Sequence, residues 1–257
     1  MRHILFAGIL LISFIVGAQD STVVKPNLAI APFMPNMYFN ELSRLWYSTG
    51  ETKCQGQQID TIIYQLNFKL SKELSNKFDV IDLNRASTIS TLDLLLALYQ
   101  MMHFEIRDTF PQKESKFKLK LKNKDRPVEE KTEGQEADLK EQEHKDIAST
   151  YLASVFNQEK EFKAWLSSAD VKYLLVISQF EVKGDYGSPY NSGRETNYEI
   201  RVHYDLYDAD GTLLLGKHTS AITTNEKARF YQFLDRDLQK TVNQITEEVN
   251  AMIKKEK

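Results

Sequence analysis

The spacing of apolar residues alternates between helical and extended periods, in an order typical of proteins that combine helices with a β-sheet. Residues 28–33 form a short apolar run ended by Pro32 and Pro35, which predicts a first strand. A helix closing near Asn76 is predicted next by apolar residues at steps of three and four: Ile59, Ile63, Leu66, Leu70 and Leu74. Residues 78–82 then predict a second strand.

The middle of the chain predicts two further helices and a strand covered on both faces. Ser90 or Thr91 can cap a helix whose core-facing residues are expected to be Leu92, Leu95, Leu96, Tyr99 and Met102. A second helix, over about residues 147–166, is predicted from the spacing of Tyr151, Val155, Phe162 and Leu166. Residues 173–177 are continuously apolar, so helices are expected on both faces of the sheet.

The last third of the chain predicts a β-hairpin and a closing helix. Alternate residues favour a strand with one buried face: Tyr198, Ile200, Val202, Tyr204 and Leu206. A partner strand is predicted over residues 212–219. The closing helix carries one apolar stripe: Leu234, Leu238, Val242, Ile245, Val249 and Met252. The predicted fold class is therefore α/β (an α+β variant), with a mixed sheet flanked by helices on both faces.

The first 18 residues predict a secretory signal peptide. Arg2 precedes an apolar run over residues 4–16, and small residues stand before Gln19, where a signal peptidase would cleave after Ala18. The run is shorter than the roughly 18 residues of a membrane-spanning helix. Residue 19 is not cysteine, so a periplasmic or secreted protein without a lipid anchor is expected. A buried amino-terminal strand or a retained anchor is the alternative.

Residues 19–257 are expected to form one domain with a charged, flexible insertion at about residues 112–146. Residues 116–122 alternate strictly between Lys and apolar residues and fit an edge strand, and the chain beyond is first basic and then acidic. A solvated insertion is favoured over a segment that grips an anionic envelope polymer. The mature chain would hold 32 basic and 36 acidic residues, a net charge of −4, which argues against nucleic acid as the main partner. No later stretch predicts a transmembrane segment.

Residues 208–219, DADGTLLLGKHT, combine parts of a calcium loop and of a phosphate-binding loop. With Gly211 at the sixth position of a calcium loop, Lys217 takes the place of the closing acid. The leucines after Gly211 favour a strand over a phosphate-binding turn. We therefore interpret Asp208, Asp210 and Gly211 as a hairpin turn that binds neither a metal nor a nucleotide.

The remaining residues give no recognisable catalytic motif or cofactor site. His203 and His218 fall on opposite strands of the predicted hairpin, and exposed sheet histidines are favoured over a metal site. Cys54 is the single cysteine and cannot form an internal disulfide. Acids brought together only by the fold would leave no local signature, so an enzyme stays open as an alternative.

The order of several short segments resembles a known family. The segments are LAIAPF, the helix TIIYQLNFKLSKELSNKF running into DVIDLNRA, ADVKYLLVISQF, and VHYDLYDADGTLL before a closing helix. They resemble the small extracytoplasmic α/β domain shared by the amino-terminal part of TolB, the curli-secretion protein CsgG and the lipoprotein activators of penicillin-binding proteins. The resemblance spans most of residues 28–253 and implies a role in envelope assembly through protein contacts. The lipoprotein cysteine is absent, and residues 103–146 have no counterpart.

The leading hypothesis is an exported, non-catalytic adaptor or accessory factor in an envelope assembly or secretion machine, with an envelope protein as its partner. A homo-oligomer is also compatible with the sequence. Aromatic residues in two irregular stretches are the predicted contact residues: Tyr38, Phe39, Trp46, Tyr47, Tyr186 and Tyr190. The alternative for Trp46 and Phe39 is that they close the core. The alternative functions are an exported hydrolase with fold-assembled carboxylates and a small-ligand carrier.

Overall fold

The structure is a computed structural model that describes residues 25–43, 46, 50–85, 89–111, 150–184, 196–225 and 229–255. The predicted signal peptide, the predicted insertion and the predicted edge strand over residues 116–122 lie outside these ranges.

Within the described residues, eight strands form two sheets. The strands are β1 (Asn27–Ala31), β2 (Tyr38–Asn40), β3 (Asp79–Asp82), β4 (Met102–Asp108), β5 (Thr150–Phe156), β6 (Tyr173–Gly184), β7 (Thr196–Asp208) and β8 (Leu213–Asn225). The main sheet has the order β3-β1-β6-β7-β8, with β2 also pairing with β6. Strand β1 is parallel to β3 and β6, whereas β6, β7 and β8 are antiparallel neighbours. The predicted mixed sheet is confirmed.

Helices cover both faces of this sheet. They are α1 (Gln55–Leu74), α2 (Ile89–Met101), α3 (Glu159–Ser168) and α4 (Leu238–Lys255), with helical turns at Phe230–Gln232 and Phe233–Asp237 before α4. Leu175 and Ile177 of β6 belong to the core shared with α1 and α4. Leu174 and Val176 belong to the core shared with α2 and α3. The continuously apolar stretch thus serves two cores, as predicted.

The predicted hairpin joins β7 to β8. Asp208 Oδ1 accepts hydrogen bonds from the backbone N–H groups of Asp210 and Thr212 at 2.9 and 2.8 Å. Gly211 has a φ of 75°, in the left-handed region that glycine adopts without steric cost. Beyond the turn, β8 continues as a strand to Asn225, so residues 211–217 do not form a strand-to-helix phosphate loop.

The predicted helix over residues 147–166 is wrong in its first half. Residues Thr150–Phe156 form β5, which pairs antiparallel with β4, and α3 begins only at Glu159. Tyr151 and Val155 fit a helical spacing, but with Ala153 they also fit a period of two. The long-range pairing with β4 therefore decides between the two structures.

Helix α2 is confirmed as an element, but its buried face differs from the expected one. Leu95 and Leu98 are buried, whereas Leu92 and Leu96 are 49% and 50% exposed. Met102 is buried as the first residue of β4 and not as part of the helix.

Candidate functional site

The structure places the predicted aromatic contact residues in different environments. Tyr38 and Trp46 are 5% and 0% exposed, so their expected exposure is corrected. The Trp46 ring centroid lies 4.8 Å from that of Phe230, and the indole belongs to the core shared with α1 and α4. Phe39 is 52% exposed and remains a predicted contact residue. Tyr47, Tyr186 and Tyr190 lie outside the described residues.

A different group of aromatic and cationic residues is exposed together on α1 and after β3. The Tyr64 and Phe68 rings stack with their centroids 6.2 Å apart and an interplanar angle of 4°. Arg85 Cζ lies 5.1 Å from the Tyr64 centroid and 5.0 Å from the Phe68 centroid. Arg85 Nη2 also donates a hydrogen bond to the Tyr64 hydroxyl at 2.9 Å. These three residues are called the Tyr64–Phe68–Arg85 surface below.

Local structure explains why these three side chains meet. Tyr64 and Phe68 are four residues apart on α1 and therefore share one face of the helix. Arg85 is held by a turn after β3, in which its backbone N–H donates to the backbone carbonyl oxygen of Asp82 at 3.1 Å. The side chain of Asp82 in turn accepts from Asn67 of α1 at 2.9 Å, which ties the turn to the helix. The rings remain 44% and 39% exposed, for Tyr64 and Phe68 respectively.

An open cleft of about 700 Å³ adjoins this surface at the carboxyl end of α1 and the start of β1 and β3. Phe68 and Arg85 are shared by the surface and the cleft, and Lys25 and Lys72 add two further cations. Lys25 Nζ donates to the carbonyl oxygen of Ser75 at 2.8 Å, just beyond the end of α1. A cation there also complements the helix dipole, so Lys25 and Lys72 have a structural role in addition to any binding role.

A second polar cluster is buried where the β4–β5 ribbon crosses β7 and β8. Asp205 is fully buried, and its two carboxylate oxygens accept hydrogen bonds at 2.6 Å from the Tyr151 hydroxyl and from the N–H of Ser154. The Ser178 hydroxyl donates to the carbonyl oxygen of Leu152 at 2.6 Å. Polar groups of the main sheet therefore hold the ribbon by its backbone as well as by its side chains.

The ribbon also changes the environment of the two histidines. His203 and His218 are paired across β7 and β8, with ring centroids 5.3 Å apart. His203 is only 7% exposed, so the expected exposed histidine is corrected at this position. Its Nδ1 accepts a hydrogen bond from the N–H of Leu152 at 2.8 Å, and its Nε2 lies 3.8 Å from Glu181 Oε1. The expectation that β7 has only one buried face is likewise wrong where the ribbon covers the second face, since His203 and Asp205 on that face are both buried.

Burial shifts the protonation of both central groups in this cluster. It raises the pKa of Asp205 from 3.8 to about 7, despite the opposing hydrogen bonds from Tyr151 and Ser154. It lowers the pKa of His203 from 6.5 to about 3, with a further lowering from the nearby His218. Both shifts favour the uncharged form, as expected for groups removed from water.

The buried cluster fits a structural role better than a catalytic one. The oxygens of Asp205 are occupied by the ribbon, and the acceptor nitrogen of His203 is occupied by a backbone amide. Within the described residues, no group of three or more His, Cys, Asp or Glu side chains is placed to hold a metal ion. Cys54 is exposed at the start of α1.

One sequence signal could have indicated the exposed surface. Tyr64 and Phe68 lie beside the apolar stripe of α1, outside the positions used to predict its buried face. Two aromatic residues four apart on an otherwise polar helix face would be unusual for a solvated surface. Their proximity to Arg85 depends on the position of β3 beside β1 and could not be inferred from spacing.

Comparisons with known proteins identify no family for this chain. No family model matches it, and no curated protein matches it. A candidate lipoprotein of Caulobacter crescentus is 13% identical over 38% of this chain and 85% of its own, with a TM-score of 0.26. The hypothetical protein CT253 of Chlamydia trachomatis is 8% identical over 90% of this chain and 96% of its own, with a TM-score of 0.36. Among the helices that the structure describes, none combines the length and the apolar character needed to span a bilayer.

Proposed function

We propose that the protein is an exported, non-catalytic interaction domain that acts as an adaptor or accessory factor in bacterial cell-envelope assembly or secretion. Three features of the sequence support this proposal: the signal-peptide pattern of residues 1–18, the absence of cysteine at position 19, and the resemblance to extracytoplasmic assembly domains. The mature protein is proposed to begin at Gln19, to lack a lipid anchor and to work in the periplasm or outside the cell.

The observation that carries the interaction proposal is the Tyr64–Phe68–Arg85 surface. Tyrosine and arginine are enriched among the residues that dominate binding energy at protein interfaces. Here the two rings are stacked and the guanidinium is held against both, so little side-chain entropy remains to be lost on binding. An exposed and already ordered group of this composition is more typical of a contact surface than of solvated helix residues.

Site-specific photocrosslinking in the native host tests this proposal. A benzoylphenylalanine at position 68 is expected to give a discrete crosslinked product in the envelope fraction. Position 231 provides a matched control, because Tyr231 is 50% exposed and has Arg229 Cζ 5.9 Å from its ring centroid. Equal crosslinking from positions 68 and 231 would contradict a specific surface.

Intact mass of the exported protein tests the predicted signal peptide separately, and retention of residues 1–18 would contradict cleavage.

A hydrolase is the second candidate, because Glu181 and Asp205 are buried carboxyl groups on two different strands. Their position beneath the ribbon is the reason that we place this function second. Hydrolysis of an envelope polymer by the purified protein, lost in the Asp205→Asn and Glu181→Gln variants while both remain folded, would reverse this order.

A further inference from the structure

The cleft beside the Tyr64–Phe68–Arg85 surface carries an excess of positive charge. Lys25, Lys72 and Arg85 line it, and Asp79 is its single acidic lining residue. Both lysines and Arg85 are exposed. Within the described residues, no carboxylate forms an ion pair with any of these three cations. The cleft therefore presents cations that a ligand can reach without breaking an existing pair.

Arg85 is the best positioned of these cations. Its guanidinium contacts two aromatic rings and donates one hydrogen bond to Tyr64 at 2.9 Å, which fixes its plane while leaving further N–H groups free to donate. Arginine held in this way is suited to a carboxylate, which can accept two parallel hydrogen bonds from it.

The remaining lining is apolar as well as basic. Phe68, Phe78 and Val80 contribute to the wall, and Phe68 is also half of the stacked pair outside it. A ligand that matched this lining would carry negative charge next to an apolar or aromatic group. A small inorganic anion would leave the apolar wall uncovered.

From this arrangement we infer that the cleft binds an acidic peptide segment of a partner protein, with a carboxylate at Arg85 and Lys72 and an adjoining apolar side chain against Phe68. This inference rests on the proposed interaction function and adds the chemistry of the partner. An acidic peptide satisfies both the charge and the apolar wall, and peptide recognition by clustered cations is a recurring mode of binding.

Selection from a random peptide library displayed on phage tests the inference, whichever protein supplies the segment in the cell. The purified mature protein is the bait, and the enriched peptides are then synthesised for affinity measurements. Peptides with Asp or Glu next to an aromatic or large apolar residue are expected. Their affinity should fall about tenfold or more in each of the variants Lys72→Gln and Arg85→Gln. Lys160→Gln, an exposed change on α3, is the matched control and should bind as the unaltered protein does.

Two further measurements keep the outcomes distinct. Because the variants change exposed residues, their free energy of unfolding in urea should lie within about 1 kcal/mol of that of the unaltered protein, the small loss coming from the helix-dipole and ring contacts of the replaced cations. Peptide affinity should decrease as salt is raised. Enriched peptides without acidic residues, or acidic peptides that bind both cleft variants normally, would overturn the inference. Arg85-dependent binding of phosphatidylglycerol vesicles without peptide binding would also overturn it, in favour of a lipid surface. Crosslinking from position 68 that persists despite either result would leave the interaction function intact.

Discussion

Replacing Asp205 or His203 is expected to give opposite changes in the pH dependence of stability. In the folded protein at pH 5, the carboxyl group of Asp205 holds a proton because its pKa is about 7, and His203 is neutral because its pKa is about 3. In the unfolded chain at the same pH, the pKa values are 3.8 and 6.5, so the histidine holds the proton and the aspartate does not. The pair thus binds one proton in either state.

Because the proton moves from one group to the other on unfolding, the contributions of His203 and Asp205 to the pH dependence of the free energy of unfolding cancel. The pKa of His203 is lowered by folding, so its contribution to stability rises with pH between about 3 and 6.5. The pKa of Asp205 is raised by folding, so its contribution is fully present below pH 3.8 and is lost as the pH rises through about 7. Each slope is about 1.4 kcal/mol per pH unit, with opposite signs, over the range that the two share.

Single substitutions should expose each slope. In Asp205→Asn the rising contribution of His203 is left, so the free energy of unfolding relative to the unaltered protein should increase by about 2 kcal/mol from pH 4.5 to 6.5. In His203→Asn the falling contribution of Asp205 is left, so the free energy of unfolding relative to the unaltered protein should decrease by about 2 kcal/mol over the same interval. The amide oxygen of the introduced asparagine can replace Nδ1 as acceptor for the Leu152 N–H.

Urea unfolding at pH 4.5, 5.5 and 6.5 measures both effects, and subtraction of the unaltered protein removes the titration of all other groups. The two difference curves should diverge in opposite directions. Two variants that are each destabilised by the same amount at every pH would refute the reasoning, because the buried pair would then not exchange a proton on unfolding.

Two further predictions concern packing. In Gly216→Ala the new Cβ would lie 1.9 Å from the Tyr151 hydroxyl oxygen, so the β4–β5 ribbon should loosen and the free energy of unfolding should fall by about 1–3 kcal/mol. The Ser154 amide should then lose protection from hydrogen exchange. Unchanged protection would contradict the packing of the ribbon against β7 and β8. Trp46→Ala should lower the free energy of unfolding by about 3–5 kcal/mol, whereas Phe39→Ala should change it by less than about 0.5 kcal/mol. Similar values for the two variants would contradict their assigned burial.

The elements that could be predicted from the sequence are those whose pattern is long and specific to one period. Helix α1 and helix α4 each carry an apolar stripe over more than three turns. The central residues of β6 form an apolar run that only a doubly covered strand explains. The short strand β5 could not be told from a helix, because seven residues are too few to separate periods of two and four, and its partner β4 is remote in sequence.

The two polar sites depend on tertiary contacts that local spacing does not encode. The alternation around His203 and Asp205 is typical of a strand with one solvated face, because nothing nearby in the sequence shows that the ribbon covers it. Arg85 reaches Tyr64 and Phe68 only because β3 lies beside β1. In both cases the residue types were visible, but the covering or neighbouring element was not.

Crosslinking from position 68 in the living cell, with and without Arg85→Ala, tests the central claim most directly. If the Tyr64–Phe68–Arg85 surface engages a partner, removing the guanidinium should abolish most of the crosslinked product. The matched change Arg229→Ala, beside Tyr231, should leave the crosslinked product from position 68 unchanged. Equal product from position 68 in the Arg85→Ala and Arg229→Ala backgrounds would contradict the claim that this surface is the functional site.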